Sequence, residues 1–99
     1  MTLNFSDNHI RVRLKEKEVQ ILNTSNELCS NIMENNNIIF SYTIKLFDEN
    51  KHKIFWKDNN FTLMLPKSYL EKVLIANKKH GIVIENKNSY TLTFQLDIF

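Results

Sequence analysis

Apolar and polar residues alternate along several short stretches of this chain. Between residues 9 and 14, for example, Val12 and Leu14 alternate with Arg11 and Arg13, which is the period of a β-strand with one buried and one exposed face. Apolar segments of similar length predict further strands at residues 28–34, 38–47, 53–57, 61–65, 82–85 and 90–98. Strands therefore account for most of the predicted structure.

Two short helices interrupt this series of strands. Within Glu16–Asn23 the apolar residues Val19 and Leu22 fall at helical spacing, and a cluster of polar residues follows and ends the helix. Pro66 has a fixed φ and no backbone donor, which suits the first residue of a second helix, predicted for Lys67–Ala76. The order of elements predicts a β-dominated α+β fold with two short helices.

The two halves of the chain share the order strand, helix, strand, strand. A shift of 51 residues, without a gap, places residues 8–37 on residues 59–88 and matches both apolar and turn positions. One extra residue in the second half then matches the last strands, with Phe40, Tyr42, Ile44 and Leu46 on Leu92, Phe94, Leu96 and Ile98. We therefore predict an internal duplication, with copies at about residues 8–47 and 59–98 of a single domain that spans residues 1–99.

The second half resembles the swapped-hairpin barrel module of AbrB-type regulators and MazE-type antitoxins. The resemblance rests on a strand that enters Leu65-Pro66, the short helix Lys67–Val73, and two strands joined across an Asn-containing turn. In those families, two copies from two chains interleave into one barrel. With both copies in one chain, the resemblance implies a small barrel or a curled antiparallel sheet that hides its own edges.

Nearly the whole chain also resembles a family of small bacterial proteins of unknown function. The segments that carry this resemblance are "NHIRVRLKEKEV", "NNFTLMLPKSYLEK" and the closing "LDIF". The resemblance implies a shared fold and a bacterial origin, and it implies no activity.

Composition places the chain among ordinary globular proteins. Of its 99 residues, 42% are hydrophobic and 24% are charged, so a chain of this length can bury a core without disulfides or metal. The single Cys29 cannot form an internal disulfide. Because neither a secretory leader nor an apolar run of about 18 residues occurs, we expect a cytoplasmic protein away from membranes.

The sequence offers little support for catalysis, and we predict no catalytic, cofactor-binding or metal-binding residues. One Gly in the whole chain excludes a glycine-rich phosphate loop. His9 and His52 have no partner at metal-ligand spacing. Cys29 and His80 occupy equivalent positions in the two halves, so a Cys-His enzyme is a third alternative, although a buried structural thiol is the plainer interpretation.

Five side chains are candidates for contact with nucleic acid or a protein partner: Arg11, Arg13, Lys53, Trp56 and Lys57. Trp56 lies between two lysines, a spacing that suits base stacking or a protein anchor, although packing inside a small barrel is the commoner role of a lone Trp on a strand. The net charge of +2 is well below that of a dedicated nucleic-acid binder.

The predicted function is that of a non-enzymatic binding or accessory protein with an unknown protein partner. The alternative is a DNA-contacting regulator or antitoxin-like protein that uses a basic strand face. Ile39, Phe47 and Phe55 fall on outward phases of their strands, so the chain is expected to be either a monomer or a homodimer that pairs through an apolar patch.

Overall fold

The computed structural model describes residues 1–76, 82–85 and 90–97. Its strands are β1 (Thr2–Ser6), β2 (His9–Lys15), β3 (Glu27–Glu34), β4 (Asn37–Phe47), β5 (Lys53–Lys57), β6 (Asn60–Pro66), β7 (Ile82–Glu85) and β8 (Thr91–Asp97). Its helices are α1 (Glu16–Ser25) and α2 (Lys67–Ala76). The predicted class, β-dominated α+β with two short helices, is confirmed.

The strand β1 is the element that sequence analysis missed. Leu3 and Phe5 alternate with polar neighbours there, so the period was present in the sequence but short. A second signal was the shift of 51 residues, which places β1 on the predicted strand that became β5. The predicted strand at residues 90–98 corresponds to β8, and residue 98 lies outside the described residues.

The chain divides into two compact units, each built on one four-stranded sheet. The first unit comprises Met1–Val19 and Ser68–Phe99 and holds the first sheet, in the order β1-β2-β8-β7. The second unit comprises Gln20–Lys67 and holds the second sheet, in the order β3-β4-β6-β5. In each sheet the two central strands are parallel and the outer pairs are antiparallel.

The barrel alternative is therefore wrong, whereas the curled-sheet alternative fits, except that the central pair of strands in each sheet is parallel rather than antiparallel. Within the described residues the strands form two open, mixed sheets, each of which ends in two edge strands. Each helix carries the chain from one sheet to the other, since β2 leads through α1 to β3, and β6 leads through α2 to β7.

Asparagine replaces glycine in the turns that join these strands. Asn8, Asn35 and Asn36 have φ of 54°, 50° and 67°, in the left-handed region that Asn tolerates better than most residues. The backbone carbonyl of Asn8 also accepts a hydrogen bond from the N–H of Thr91 at 2.8 Å, so this turn is tied to β8. Asn therefore occupies left-handed turn positions that Gly commonly fills.

Each unit buries one face of its sheet together with residues from a helix. The buried apolar residues of the first unit are Val12, Leu14, Val19, Leu70, Leu92 and Phe94. Those of the second unit are Leu22, Leu28, Ile44, Phe61, Leu63 and Leu65. Burial of each such side chain stabilises the folded chain by about 1.5–3 kcal/mol relative to leaving it exposed.

Strand registers give the equivalent positions of the two sheets. Val12 and Leu63 are 51 residues apart, and they pair with Phe94 and Ile44 respectively. Phe94 is therefore equivalent to Ile44, an offset of 50, whereas the sequence alignment placed it on Tyr42. The alignment erred by two residues, which preserves the strand period and so escapes notice in the hydrophobic pattern. The duplication itself stays a prediction.

Neither α1 nor α2, and no other helix of the described residues, has the length and apolar content needed to cross a membrane.

Candidate functional site

The second sheet has one apolar face and one largely polar face. Successive residues of a strand point to opposite faces, so the registers assign each position. The polar face, here called the lysine face, consists of three rows across β3, β4, β6 and β5: Glu27, Lys45, Met64, Lys53; Cys29, Thr43, Thr62, Phe55; and Asn31, Ser41, Asn60, Lys57.

Positive charge is concentrated on the lysine face. Lys45 and Lys53 lie on either side of Met64 in one row, and Lys57 lies two rows further along β5. All three lysines are exposed. Glu27, at the β3 end of the first row, is the single carboxylate among these twelve positions. The face therefore carries a local excess of positive charge, although the second unit as a whole is balanced.

A groove of about 770 Å³ runs along part of this face. Its lining includes Lys45, Phe55, Trp56, Lys57, Asn60 and Met64. The ring of Phe55 is 50% exposed and the indole of Trp56 is 60% exposed. Asp58 adds a carboxylate at the turn between β5 and β6. The groove thus combines cations and exposed aromatic rings, and its size is typical of small-ligand sites.

Trp56 does not fill a core, so its predicted packing inside a barrel is wrong. Its indole meets the buried ring of Phe61 edge to face, with centroids 4.7 Å apart, and lies 6.4 Å from the ring of Phe40. Because β5 is an edge strand, no further strand covers the indole among the described residues. The aromatic contacts hold Trp56 in a defined orientation while most of its surface stays exposed.

A hydrogen bond orients an amide at the floor of the groove. The hydroxyl of Thr62 donates to Oδ1 of Asn60 at 3.2 Å. The Nδ2 group of Asn60 is then the part of the amide that can donate to a ligand, and an acceptor such as a phosphate or carbonyl oxygen suits it.

The first sheet has a polar face of its own, here called the arginine face. Its rows across β1, β2 and β8 are Thr2, Arg13, Gln95; Asn4, Arg11, Thr93; and Ser6, His9, Thr91. Arg11 is exposed and Arg13 is half-buried. Nε2 of His9 and Oγ1 of Thr93 form a hydrogen bond of 2.7 Å. None of these nine positions carries a carboxylate or an aromatic ring other than the imidazole.

The structure thus divides the five predicted contact residues between the two units. Lys53, Trp56 and Lys57 lie on β5, but of these three the groove lining includes only Trp56 and Lys57, and Trp56 points to the face opposite the two lysines. Arg11 and Arg13 lie on β2, in the middle of the arginine face. Each set belongs to its own sheet.

Sequence analysis missed Lys45, Asn60 and Met64 as members of the site. Each lies on a strand of alternating apolar and polar residues. The alternation predicts which face of the sheet a residue is on, but it does not predict which strand lies beside it. Asn60 and Met64 lie on β6, which pairs directly with β5, and the parallel pairing of β4 with β6 adds Lys45 to the same face.

Cys29 is exposed, which corrects the interpretation of a buried structural thiol. Its sulfur accepts a hydrogen bond from the hydroxyl of Thr43 at 3.3 Å. His80 lies outside the described residues, and the registers put Val83 rather than His80 at the position equivalent to Cys29. No three His, Cys, Asp or Glu side chains of the described residues are grouped to hold a metal ion.

The two groups with shifted pKa values, Glu18 and His52, are not part of the groove lining. Burial raises the pKa of Glu18, but hydrogen bonds from the Met1 ammonium and the Lys15 N–H, with the nearby positive charges, lower it overall. Burial lowers the pKa of His52, so the folded chain favours the neutral imidazole. Both shifts make the fold less stable as the pH falls through the folded pKa of each group.

A model of a family of unknown function, DUF7009, matches residues 1–98 of the chain. No curated protein and no solved structure matches it. The predicted resemblance to AbrB-type regulators and MazE-type antitoxins is therefore unsupported. The prediction that nearly the whole chain belongs to a family of unknown function is confirmed, because the protein belongs to the DUF7009 family, whose function is unknown.

Proposed function

We propose that this protein is a non-enzymatic binding protein whose lysine face binds single-stranded nucleic acid. The observation that carries the proposal is the arrangement of Lys45, Lys53 and Lys57 around Phe55 on an open sheet face. Proteins that bind single strands without a fixed sequence combine a cationic groove with aromatic side chains on which bases stack.

The lysines supply the electrostatic part of this interaction. A base stacked on Phe55 has its flanking phosphates within reach of the long side chains of Lys53 and Lys57, which lie two residues away on either side. Lys45 extends the cationic surface across β6. Binding of this kind releases counterions, so affinity falls as salt rises.

An exposed aromatic ring selects single strands over duplexes. In a duplex the faces of the bases are already stacked on one another, whereas the bases of a single strand can stack on a protein ring. Phe55 is half exposed on the lysine face and offers such a ring, whereas Trp56 points to the other face of the sheet, against Phe61. Stacking on one such ring contributes about 1–3 kcal/mol per base.

The arginine face favours a second candidate, a regulator that contacts duplex DNA. Arg11 and Arg13 lie two residues apart on one face of β2, among hydroxyl and amide side chains that also bind phosphate. This face lacks a stacking ring, so it suits backbone contact rather than unpaired bases. A protein partner with an acidic surface is the third outcome that the experiment separates.

The test is a titration of the protein with two fluorescein-labelled oligonucleotides. One is a single strand that is not self-complementary, and the other is a hairpin whose stem pairs that same sequence with its complement. Fluorescence anisotropy of the labelled oligonucleotide reports binding. We expect the single strand to bind at least tenfold more tightly than the duplex, with affinity falling between about 50 and about 200 mM salt.

A matched pair of variants locates the site. The double variant Lys53→Gln/Lys57→Gln is expected to lower the slope of log affinity against log salt by about 1.4, since each phosphate contact on a single strand contributes about 0.7. The control, Lys17→Gln/Lys72→Gln, removes the same charge from exposed helix positions and should leave the slope unchanged.

Three results contradict the proposal. The first is no binding at low salt. The second is an equal loss of affinity in both double variants. The third is tighter binding of the duplex than of the single strand, with duplex binding abolished by Arg11→Gln/Arg13→Gln. The last result establishes the second candidate instead, and the first leaves a protein partner.

A further inference from the structure

The outer half of the β3–β4 hairpin extends beyond the rest of its sheet. β6 begins to pair with β4 at Ser41, so residues Asn37–Phe40 have β3 as their neighbour and no other strand among the described residues. The segment Ile32–Phe40, here called the projecting hairpin, is therefore a two-stranded ribbon. Such a ribbon is marginally stable in water unless something packs against it.

The projecting hairpin is apolar and almost uncharged. Ile32, Met33, Ile38 and Ile39 are 49%, 53%, 55% and 43% exposed, which makes them half of the large exposed hydrophobic residues of the described chain. Together these residues leave roughly 400 Å² in contact with water, divided between the two faces of the ribbon, since Ile32 pairs with Phe40 and Met33 with Ile38. Glu34 is the segment's single charged residue.

The outer edge of β3 is open as well. β3 is the terminal strand of the second sheet, so no described strand pairs with its outer backbone groups. The register shift in the hairpin makes Ile39 of β4 the extra residue, which leaves β3 regular along its length. A regular open edge beside an apolar patch is a template for another strand.

We propose that the occupant is a second copy of this chain, paired antiparallel through β3. Such pairing closes the open β3 edge of both copies at once and joins their second sheets into one sheet of eight strands. With Ile32 opposite Ile32 of the second copy, Glu34 lies opposite Ser30 of the second copy, so no like charges meet. Nucleic acid is a poor occupant because the projecting hairpin carries no cation.

The area limits the strength of this dimer. A stable interface buries about 800 Å² per partner, and the two exposed apolar residues on β3 itself, Ile32 and Met33, supply about a quarter of that, with the β3 backbone and its polar neighbours adding more. We therefore expect a reversible dimer with a Kd of about 1–100 µM.

Sedimentation velocity of the purified protein, without nucleic acid, tests the proposal across that concentration range. The expected result is a shift from monomer to dimer as concentration rises. Ile32→Glu, which places two carboxylates opposite each other and next to Glu34, is expected to weaken the dimer at least tenfold. Ile21→Glu is the control, because Ile21 is 48% exposed but lies on α1.

Circular dichroism confirms that each variant is folded, and Met33→Glu replaces Ile32→Glu if the latter is not. The proposal is overturned if the wild-type protein stays monomeric throughout, if it grows beyond a dimer, or if both Glu variants dimerise like the wild type. These outcomes do not depend on nucleic-acid binding, so failure here and failure of the proposed function are distinguishable.

Discussion

The two sheets have the same strand arrangement but different polar faces. Each has a parallel central pair flanked by antiparallel strands, and each buries its apolar face. On the arginine face, charge lies on the central strand, at Arg11 and Arg13. On the lysine face, charge lies on β4 and β5, and Phe55 takes the place of the equivalent Asn4. Packing constrains the buried faces, whereas the exposed faces differ in their charged and aromatic residues.

The outermost strands show which features follow from position alone. Phe5 on β1 is equivalent to Trp56 on β5, and the two side chains are 50% and 60% exposed. Both strands lie at the edge of their sheet, which explains the exposure without any function. β5 differs from β1 because it also carries two lysines and the exposed Phe55, and because it borders the groove.

The largest expected effect concerns the buried faces, where the two sheets should behave alike. Leu14 and Leu65 are equivalent and both fully buried. Leu14→Ala and Leu65→Ala should each lower the free energy of unfolding by about 2–5 kcal/mol through lost burial and a cavity. Urea denaturation measures both. A cost below about 1 kcal/mol at one site would show that the two faces are not packed equivalently.

An intermediate effect is expected where the polar faces differ. Phe55→Ala should weaken single-strand binding by about 1–3 kcal/mol, because it removes the stacking ring. Asn4→Ala, at the equivalent position of the first sheet, should leave affinity unchanged. The anisotropy titration described above measures both. Equal losses, or none in either variant, would place the binding site elsewhere.

The smallest effect concerns two equivalent buried threonines. Thr93 bonds to the imidazole of His9 at 2.7 Å, and Thr43 bonds to the sulfur of Cys29 at 3.3 Å. Thr93→Val should lower the free energy of unfolding by about 0.5–1.5 kcal/mol. The loss for Thr43→Val should be at or below the lower end of that range, because sulfur is a weak acceptor. Thermal denaturation compares the two. A larger cost for Thr43→Val would reverse this ranking.

Local elements followed closely from the sequence, because they depend on near neighbours. Residues 9–14 and 61–65 alternate with a period of two, and the strands β2 and β6 extend each by a residue or so. The helix after Pro66 begins at Lys67, as predicted, although Pro66 itself ends β6 and does not take the first helical position. The strand β1 was missed because five residues with two apolar positions give a weak signal.

The candidate site followed from the sequence only in part. Lys53 and Lys57 were identified from their spacing around Trp56. That Trp56 is exposed depends on β5 being an edge strand, and that Lys45 lies on the same face depends on β4 pairing with β6. Neither fact is encoded in the alternation of a single strand.

The sequence by itself determined the fold class, the helix and most strand positions, and the family, because periodicity, turn residues and sequence similarity are all local properties of the chain. Tertiary structure alone decided that β2 pairs with β8 and β4 with β6, that the sheets stay open, and which faces meet solvent. The physical reason is that a strand's hydrophobic pattern specifies which face it buries, whereas its partner is chosen by contacts between residues far apart in the chain.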